Sequence, residues 1–224
     1  MKITYLGQAG FLFEKNDFKI IIDPYLSDSV VKVNPRNYRR VPVDESFLKV
    51  KPDLMIFTHN HLDHYDPETV PHYIGEDTKV TVLAPASVWN EVRKLGGVNN
   101  YVEFNRHTTW TEQGICFTAV KAEHSDHDAI GVIIDDGDEK YYITGDTLYN
   151  EDIFTDLPAD IFAVFLPVNG VGNNMNMVDA ARFAERVNAK WTVPVHVGMF
   201  DELTADAFAC DNKVIPQIYK ELCL

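Results

Sequence analysis

The segment THNHLDH sets His59, His61, Asp63 and His64, four groups able to ligate a metal, within six consecutive residues. Imidazole nitrogens suit zinc, iron, nickel and copper, and a carboxylate adds tolerance for harder ions such as manganese. On an extended backbone His59 and His61 point to the same side, and a turn after His61 swings Asp63 and His64 to the same point. One short segment can then serve two ions. A single histidine at a strand end is ordinarily a hydrogen-bonded structural residue, but burying four such groups without a cation is costly. Three further candidates each follow a β-like run: His124 after ICFTAVKAE, Asp146 after KYYITG, and His196 after WTVPV. Strand ends are where α/β folds gather their ligands. The combined set of five histidines and two aspartates satisfies two ions with one bridging carboxylate.

These side chains need a scaffold, and the sequence sketches one. KITYL, FLFEK and FKIIID read as three strands of a meander, with turns at Gly7, Gly10 and Asn16-Asp17. Residues 53–58 (DLMIFT) form a continuous apolar strand, as for one buried on both faces, and it ends where the histidines begin. Further strands are expected at VTVL near Val80 and at 115–120, 129–134, 140–144, 161–166 and 191–195, with 135–138 as a hairpin turn. Helical spacing predicts helices over 86–95, stopped by Gly96-Gly97, over 177–187, and over most of the tail from 205 to 224. A meander followed by βα units predicts an α/β protein with helices outside a layered sheet. No linker, repeat or low-complexity run divides residues 1–224, which are expected to form a single domain.

Composition narrows the function. Twenty basic against thirty-four acidic residues give a net charge of −14, which disfavours binding to nucleic acid or an anionic membrane through a basic surface. The longest uncharged stretch, 161–178, carries Pro167, Gly170 and Gly172 and four asparagines and cannot span a membrane. The opening residues lack a basic n-region, so a cytoplasmic location is expected. Cys116, Cys210 and Cys223 form no C-x-x-C pair and read as ordinary thiols. A homo-oligomer is allowed, although no sequence feature marks an interface.

The order of motifs resembles the metallo-β-lactamase superfamily of metal-dependent hydrolases. The residues that carry the likeness are Asp23 in IIIDP, HxHxDH at 59–64, His124, the turn Gly145-Asp146-Thr147, and His196 in PVHVGMF. The resemblance implies a four-layer αββα sandwich. It further implies one metal site at His59, His61 and His124 and a second at Asp63, His64 and His196, with Asp146 shared. The cofactor would be one or two divalent ions, foremost Zn2+ or Mn2+, with Fe or Ni also accommodated. TYLGQAGFLFE, NPRNYRRVPV and the stretch from LPVNGVGNNMNM to PVHVGMF are similar to a small cytosolic branch that includes ascorbate-6-phosphate lactonase. Many relatives carry a polar His-Ser pair in the opening turn, where this chain has Gln8-Ala9.

The chemistry expected is hydrolysis of a small-molecule ester or lactone, including one of a phosphorylated sugar acid, by metal-bound hydroxide. An ion lowers the pKa of bound water from about 15.7 towards about 7. The resemblance gives Asp63 the catalytic role of positioning that water or passing its proton to the leaving group. Asp23 is placed either behind a ligating histidine, fixing its tautomer, or as a cap of the turn before Pro24. Arg36, Arg39 and Arg40 form the one compact basic cluster and either grip a substrate anion or make a solvated face. Asn169, Asn173, Asn174 and Asn176 crowd one Gly-rich loop, where their amides either line the pocket or bind a substrate's hydroxyls, Asn169 and Asn176 foremost, with Asn176 alternatively an N-cap. His127 is a candidate at the cavity rim, and His72 and His107 read as surface residues. Competing readings are a metal-dependent phosphodiesterase or nuclease, and a non-catalytic metal or ligand sensor. A redox di-iron protein is disfavoured because His61 is intact and no flavin-carrying domain is present.

Overall fold

The computed structural model describes residues 1–224. One six-stranded sheet runs, in spatial order, β1 (Lys2–Gly7), β2 (Gly10–Lys15), β3 (Phe18–Ile22), β4 (Leu54–Ile56), β5 (Thr81–Ala84) and β6 (Asn100–Glu103). The other contains β7 (Thr109–Glu112), β8 (Ile115–Lys121), β9 (Ile130–Asp135), β10 (Lys140–Ile143), β11 (Ala163–Pro167) and β12 (Trp191–Val195), also in sequence order across the sheet. The first sheet is antiparallel from β1 to β3 and parallel from β3 to β6; the second is antiparallel from β7 to β10 and parallel from β10 to β12.

Side-chain alternation sets the layers, because successive strand residues face opposite sides of a sheet. Ile20 and Ile22 of β3 join Phe11, Phe13, Phe117, Phe165 and Val193 in the core between the sheets. Ile21 faces outward, onto the cluster that holds Val88 and Val92 of α2 (Ala86–Val92). On the second sheet Ile133, Tyr142 and Val164 face outward onto Ala180, Phe183 and Val187 of α3 (Met177–Val187). The short α1 (Ser29–Val33) lies on the loop after β3. The result is the four-layer αββα sandwich. Phe165 is 1% exposed with its ring 4.8 Å from Phe11 and 5.9 Å from Phe13. Phe165→Ala is expected to cost about 3–5 kcal/mol in urea unfolding.

Several elements differ from the sequence expectation. β6 and β7 were not anticipated; their sequences NYVE and TWTE are half exposed and mostly polar, and lack the apolar run of a buried strand. The helix expected over 86–95 ends at Val92 and tightens into a 3-10 turn over Arg93–Leu95. The largest correction is the tail, where residues 205–224 contain no helix. Its backbone instead bonds to the two sheet edges. Leu222 N–H donates to Ile3 O (2.8 Å), Tyr219 N–H to Tyr5 O (2.7 Å), and Val214 N–H to Thr192 O (2.8 Å). Unpaired groups on β1 and β12 thus outcompete helix formation, and Pro216 offers no N–H to a helix. No helix is long and apolar enough to cross a membrane.

Candidate metal centre

The candidate ligands converge where strand ends of both sheets meet. His59 and His61 follow β4, His124 follows β8, Asp146 follows β10 and His196 follows β12. Two backbone bonds pin the sheets together here: Ile130 N–H donates to Thr58 O (3.0 Å) and His196 N–H to Gln8 O (2.8 Å). Gly145 permits the approach. A Cβ on it would lie 2.9 Å from both Ile130 O and Thr58 Cβ, and its φ is +61°. Gly145→Ala is therefore expected to cost about 1–3 kcal/mol and loosen Asp146, measurable as a lowered midpoint in urea.

Ligand atoms fall into two groups, each with members within 4.8 Å of one another: His59, His61, His124 and Asp146, and Asp63, His64 and His196. Asp146 reaches toward both, with Oδ1 3.3 Å from His64 Nε2 and Oδ2 3.1 Å from His196 Nε2. His196 Nε2 also lies 3.2 Å from Asp63 Oδ2. His59 Nε2, His64 Nε2 and Asp146 Oδ1 are buried and make no hydrogen bond. Leaving such atoms unpartnered is costly. A divalent cation between them would remove that cost, and a donor set of imidazoles and carboxylates suits first-row divalent ions.

The outer ring nitrogens are engaged in ways that leave Nε2 facing inward. Asp23, 0% exposed, has Oδ2 2.8 Å from His64 Nδ1, and its Oδ1 accepts from Thr58 N–H at 2.8 Å. Thr58 Oγ1 lies 3.0 Å from His59 Nδ1, and Asn173 O lies 3.2 Å from His124 Nδ1. Such contacts fix the tautomer and orientation of a ligating imidazole. Asn174 Nδ2 donates to Asp146 Oδ2 at 2.8 Å, and the Asn169 amide sits 3.0 Å from His196 Nδ1.

Electrostatics follow from this crowding. Burial most strongly pushes His59 below the ordinary imidazole value, and the neighbouring His64 adds to it. Burial acts in the same direction on His64 and His196, but the carboxylates overcome it. Asp146 and Asp23 raise His64 well above its usual value, and Asp146 and Asp63 raise His196 to about 9. Burial opposes ionisation of Asp146, yet His196 and His64 hold it well below the carboxylate range. Without an ion, the carboxylates of Asp23, Asp63 and Asp146 thus favour the protonated forms of His64 and His196.

A cavity of about 460 Å³ opens onto His61, Asp63, Asp146 and His196, lined beyond them by Gln8, Asn37, Asn169, Asn174, Phe200 and Asp201 among others. No lysine or arginine lines it. Arg39 is committed elsewhere, donating to Tyr25 O (2.7 Å) and Tyr219 Oη (2.9 Å). Arg40 lies 3.6 Å from Glu202 and over the Tyr38 ring, and Arg36 is exposed. Asn176 caps α3, its Oδ1 accepting from Val178 and Asp179 N–H, and does not line the cavity. His127 is exposed in a separate depression beside Arg106 and Lys121 rather than at this rim. Exposed His107 meets Asp156 at 3.1 Å, and His72 is exposed. Thr58 was not among the site residues expected; Gln8, noted in the sequence only as standing where many relatives carry a polar His-Ser pair, bonds Asp63 and lines the cavity.

Comparison with known proteins agrees with this arrangement. A family model described as beta-lactamase superfamily domain matches residues 2–196. A UPF0173 metal-dependent hydrolase of Carboxydothermus hydrogenoformans is 28% identical over 225 residues, covering 95% of this chain and 92% of that one. Another, from Thermoplasma acidophilum, is 30% identical, covering 92% and 87%. Among solved structures, a metallo hydrolase from Ignicoccus hospitalis superposes with a TM-score of 0.77 at 20% identity, covering 99% of this chain and 97% of that one. The metallo-beta-lactamase fold protein YhfI from Bacillus subtilis gives 0.73 at 18%, covering 99% and 98%. With its ligand-bearing strand ends at the seam of an αββα sandwich, the chain belongs to the metallo-β-lactamase superfamily, as a metal-dependent hydrolase.

Proposed function

We propose that the protein hydrolyses small, uncharged esters or lactones, with divalent ions held by His59, His61, His124 and Asp146 and by Asp63, His64 and His196. The observation that carries the substrate class is a cavity at the centre that presents neutral amides and apolar side chains beyond the metal ligands, with no lysine or arginine. When bound, the ions supply Lewis acidity and lower the pKa of water to near neutrality. The protein's part is to hold the ligands, orient the substrate and move a proton. Asn37, Asn169 and Asn174 offer amide groups to a substrate's polar atoms, while Phe200 and Val171 take its apolar part. Asp63, at the cavity wall, is suited to carry a proton to the leaving group.

A phosphorylated substrate finds no guanidinium in the cavity, because Arg39 and Arg40 are engaged elsewhere. Asp201 at the wall and the net charge of −14 also repel an anion. A nuclease needs a basic track along its substrate, and the cavity has none.

The test pairs elemental analysis with a panel of neutral lactones and esters and their phosphorylated counterparts. The expected result is about two divalent ions per chain, with turnover confined to the neutral set. Preference for the phosphorylated set would overturn the substrate class; absence of any metal uptake would overturn the hydrolytic centre. On the best substrate, Asp63→Asn is expected to lower kcat by about 10²–10⁴-fold while the fold is kept, and full activity would remove Asp63 from the proton path.

A further inference from the structure

Gln8 sits at the meeting point of the two sheets and is 1% exposed. Its backbone adopts φ +54°, a left-handed conformation that costs free energy in a residue other than glycine and that the surroundings must enforce. The enforcing contacts are visible: Gln8 O accepts from Tyr5 Oη–H (2.8 Å) and from His196 N–H (2.8 Å). The strained turn drives the side chain inward, where Nε2 donates to Asp63 Oδ2 at 2.7 Å and lies 3.0 Å from His196 Nε2. Gln8 therefore touches two of the three residues in the Asp63, His64 and His196 group, and none of the four in the other group appears among its hydrogen-bond partners.

We infer that Gln8 is the positioning residue for the second metal site, its amide N–H holding Asp63 against His196 so that this group is assembled before an ion arrives. The inference rests on the metal-centre reading above. Asp63 is the most exposed carboxylate of the centre, 17% at its side chain, and comes from a loop rather than a strand. A donor on its Oδ2 restrains a side chain that would otherwise rotate into the cavity. His64 has Asp23 for the same purpose and Asp146 has Asn174, so Gln8 completes the pattern in which every inward group is oriented by a neighbour.

The test is Zn2+ titration of the metal-free full chain by chelator competition, comparing wild type with Gln8→Met and Gln8→Gly. Methionine keeps the length and removes the donor; glycine also relieves the positive φ, which keeps a folded variant available. Thermal unfolding in chelator checks the fold of both. The first equivalent, on the His59 group, is expected to bind unchanged in all three proteins. The second is expected to weaken by about 10–100-fold in both variants. A second equivalent as tight as in wild type, in either variant, would overturn the role of Gln8 while leaving the metal centre standing. A wild-type chain that binds no Zn2+ would overturn both.

Discussion

Replacing Asp146 by alanine is expected to remove both ions and essentially all turnover. Its two oxygens lie 3.3 Å from His64 Nε2 and 3.1 Å from His196 Nε2, and its ligand atom also falls within the His59, His61 and His124 group. It is the residue that joins the two halves of the centre. Losing the Lewis acid forfeits several kcal/mol of transition-state stabilisation. At about 1.4 kcal/mol per decade this is about 10³-fold or more in kcat. The contrast is His61→Ala. His61 lies in only one group, so that variant is expected to keep an ion on Asp63, His64 and His196. Elemental analysis of the two variants side by side distinguishes a shared carboxylate from an ordinary ligand; equal metal content in both would show that Asp146 does not bridge. Folding is expected to survive in each, because Asp146 balances charges that leave with the ions or titrate away.

The affinity for metal is expected to climb steeply with pH. His196 holds its proton up to about pH 9 and His64 is also raised well above its usual value. An ion must displace these protons. With one proton displaced, affinity rises about tenfold per pH unit below pH 9, and with two about a hundredfold, levelling off above. Zn2+ titrations at pH 6, 7 and 8 measure this directly; an affinity flat with pH would mean that the histidines are already neutral. Stability without metal runs the other way. A group whose pKa is raised on folding stabilises the fold below its ordinary value and ceases to do so as pH rises through the folded value. The metal-free protein should therefore weaken as pH approaches 9 through His196. Asp146, held below the carboxylate range, gives the opposite limb: its contribution is present above its ordinary pKa and fades as pH falls toward the folded value.

What the sequence makes legible follows the range of the interactions involved. HxHxDH stands out because four of the candidate ligands are packed into one local segment, and the strands before His124, Asp146 and His196 carry ordinary β patterns. Helix α3 is readable to the residue because Asn176 caps it and its apolar face is periodic. Gln8 and Asn174 are different. Their contacts span 55 residues to Asp63 and 28 to Asp146, and no local pattern announces a partner at that distance. The arginine cluster is ambiguous in the sequence for the same reason: Arg39 is claimed by Tyr25 and Tyr219, the latter 180 residues away. Strands β6 and β7 are hidden because their pairing, rather than their composition, makes them strands.

The tail that lies along β1 and β12 also bears on how the protein is made. Synthesis delivers β1 long before residues 212–222, so the edge beside Gln8 stays open until that segment emerges. Closing contacts so distant in sequence is slow relative to local helix or hairpin formation. An open edge strand is in the meantime a template for pairing with another chain. Because His196 docks onto Gln8 at that same seam, the centre is expected to be assembled only after β12 has emerged and joined its sheet. Ion loading then becomes a late event in the life of the chain, governed by the metals available to the finished protein.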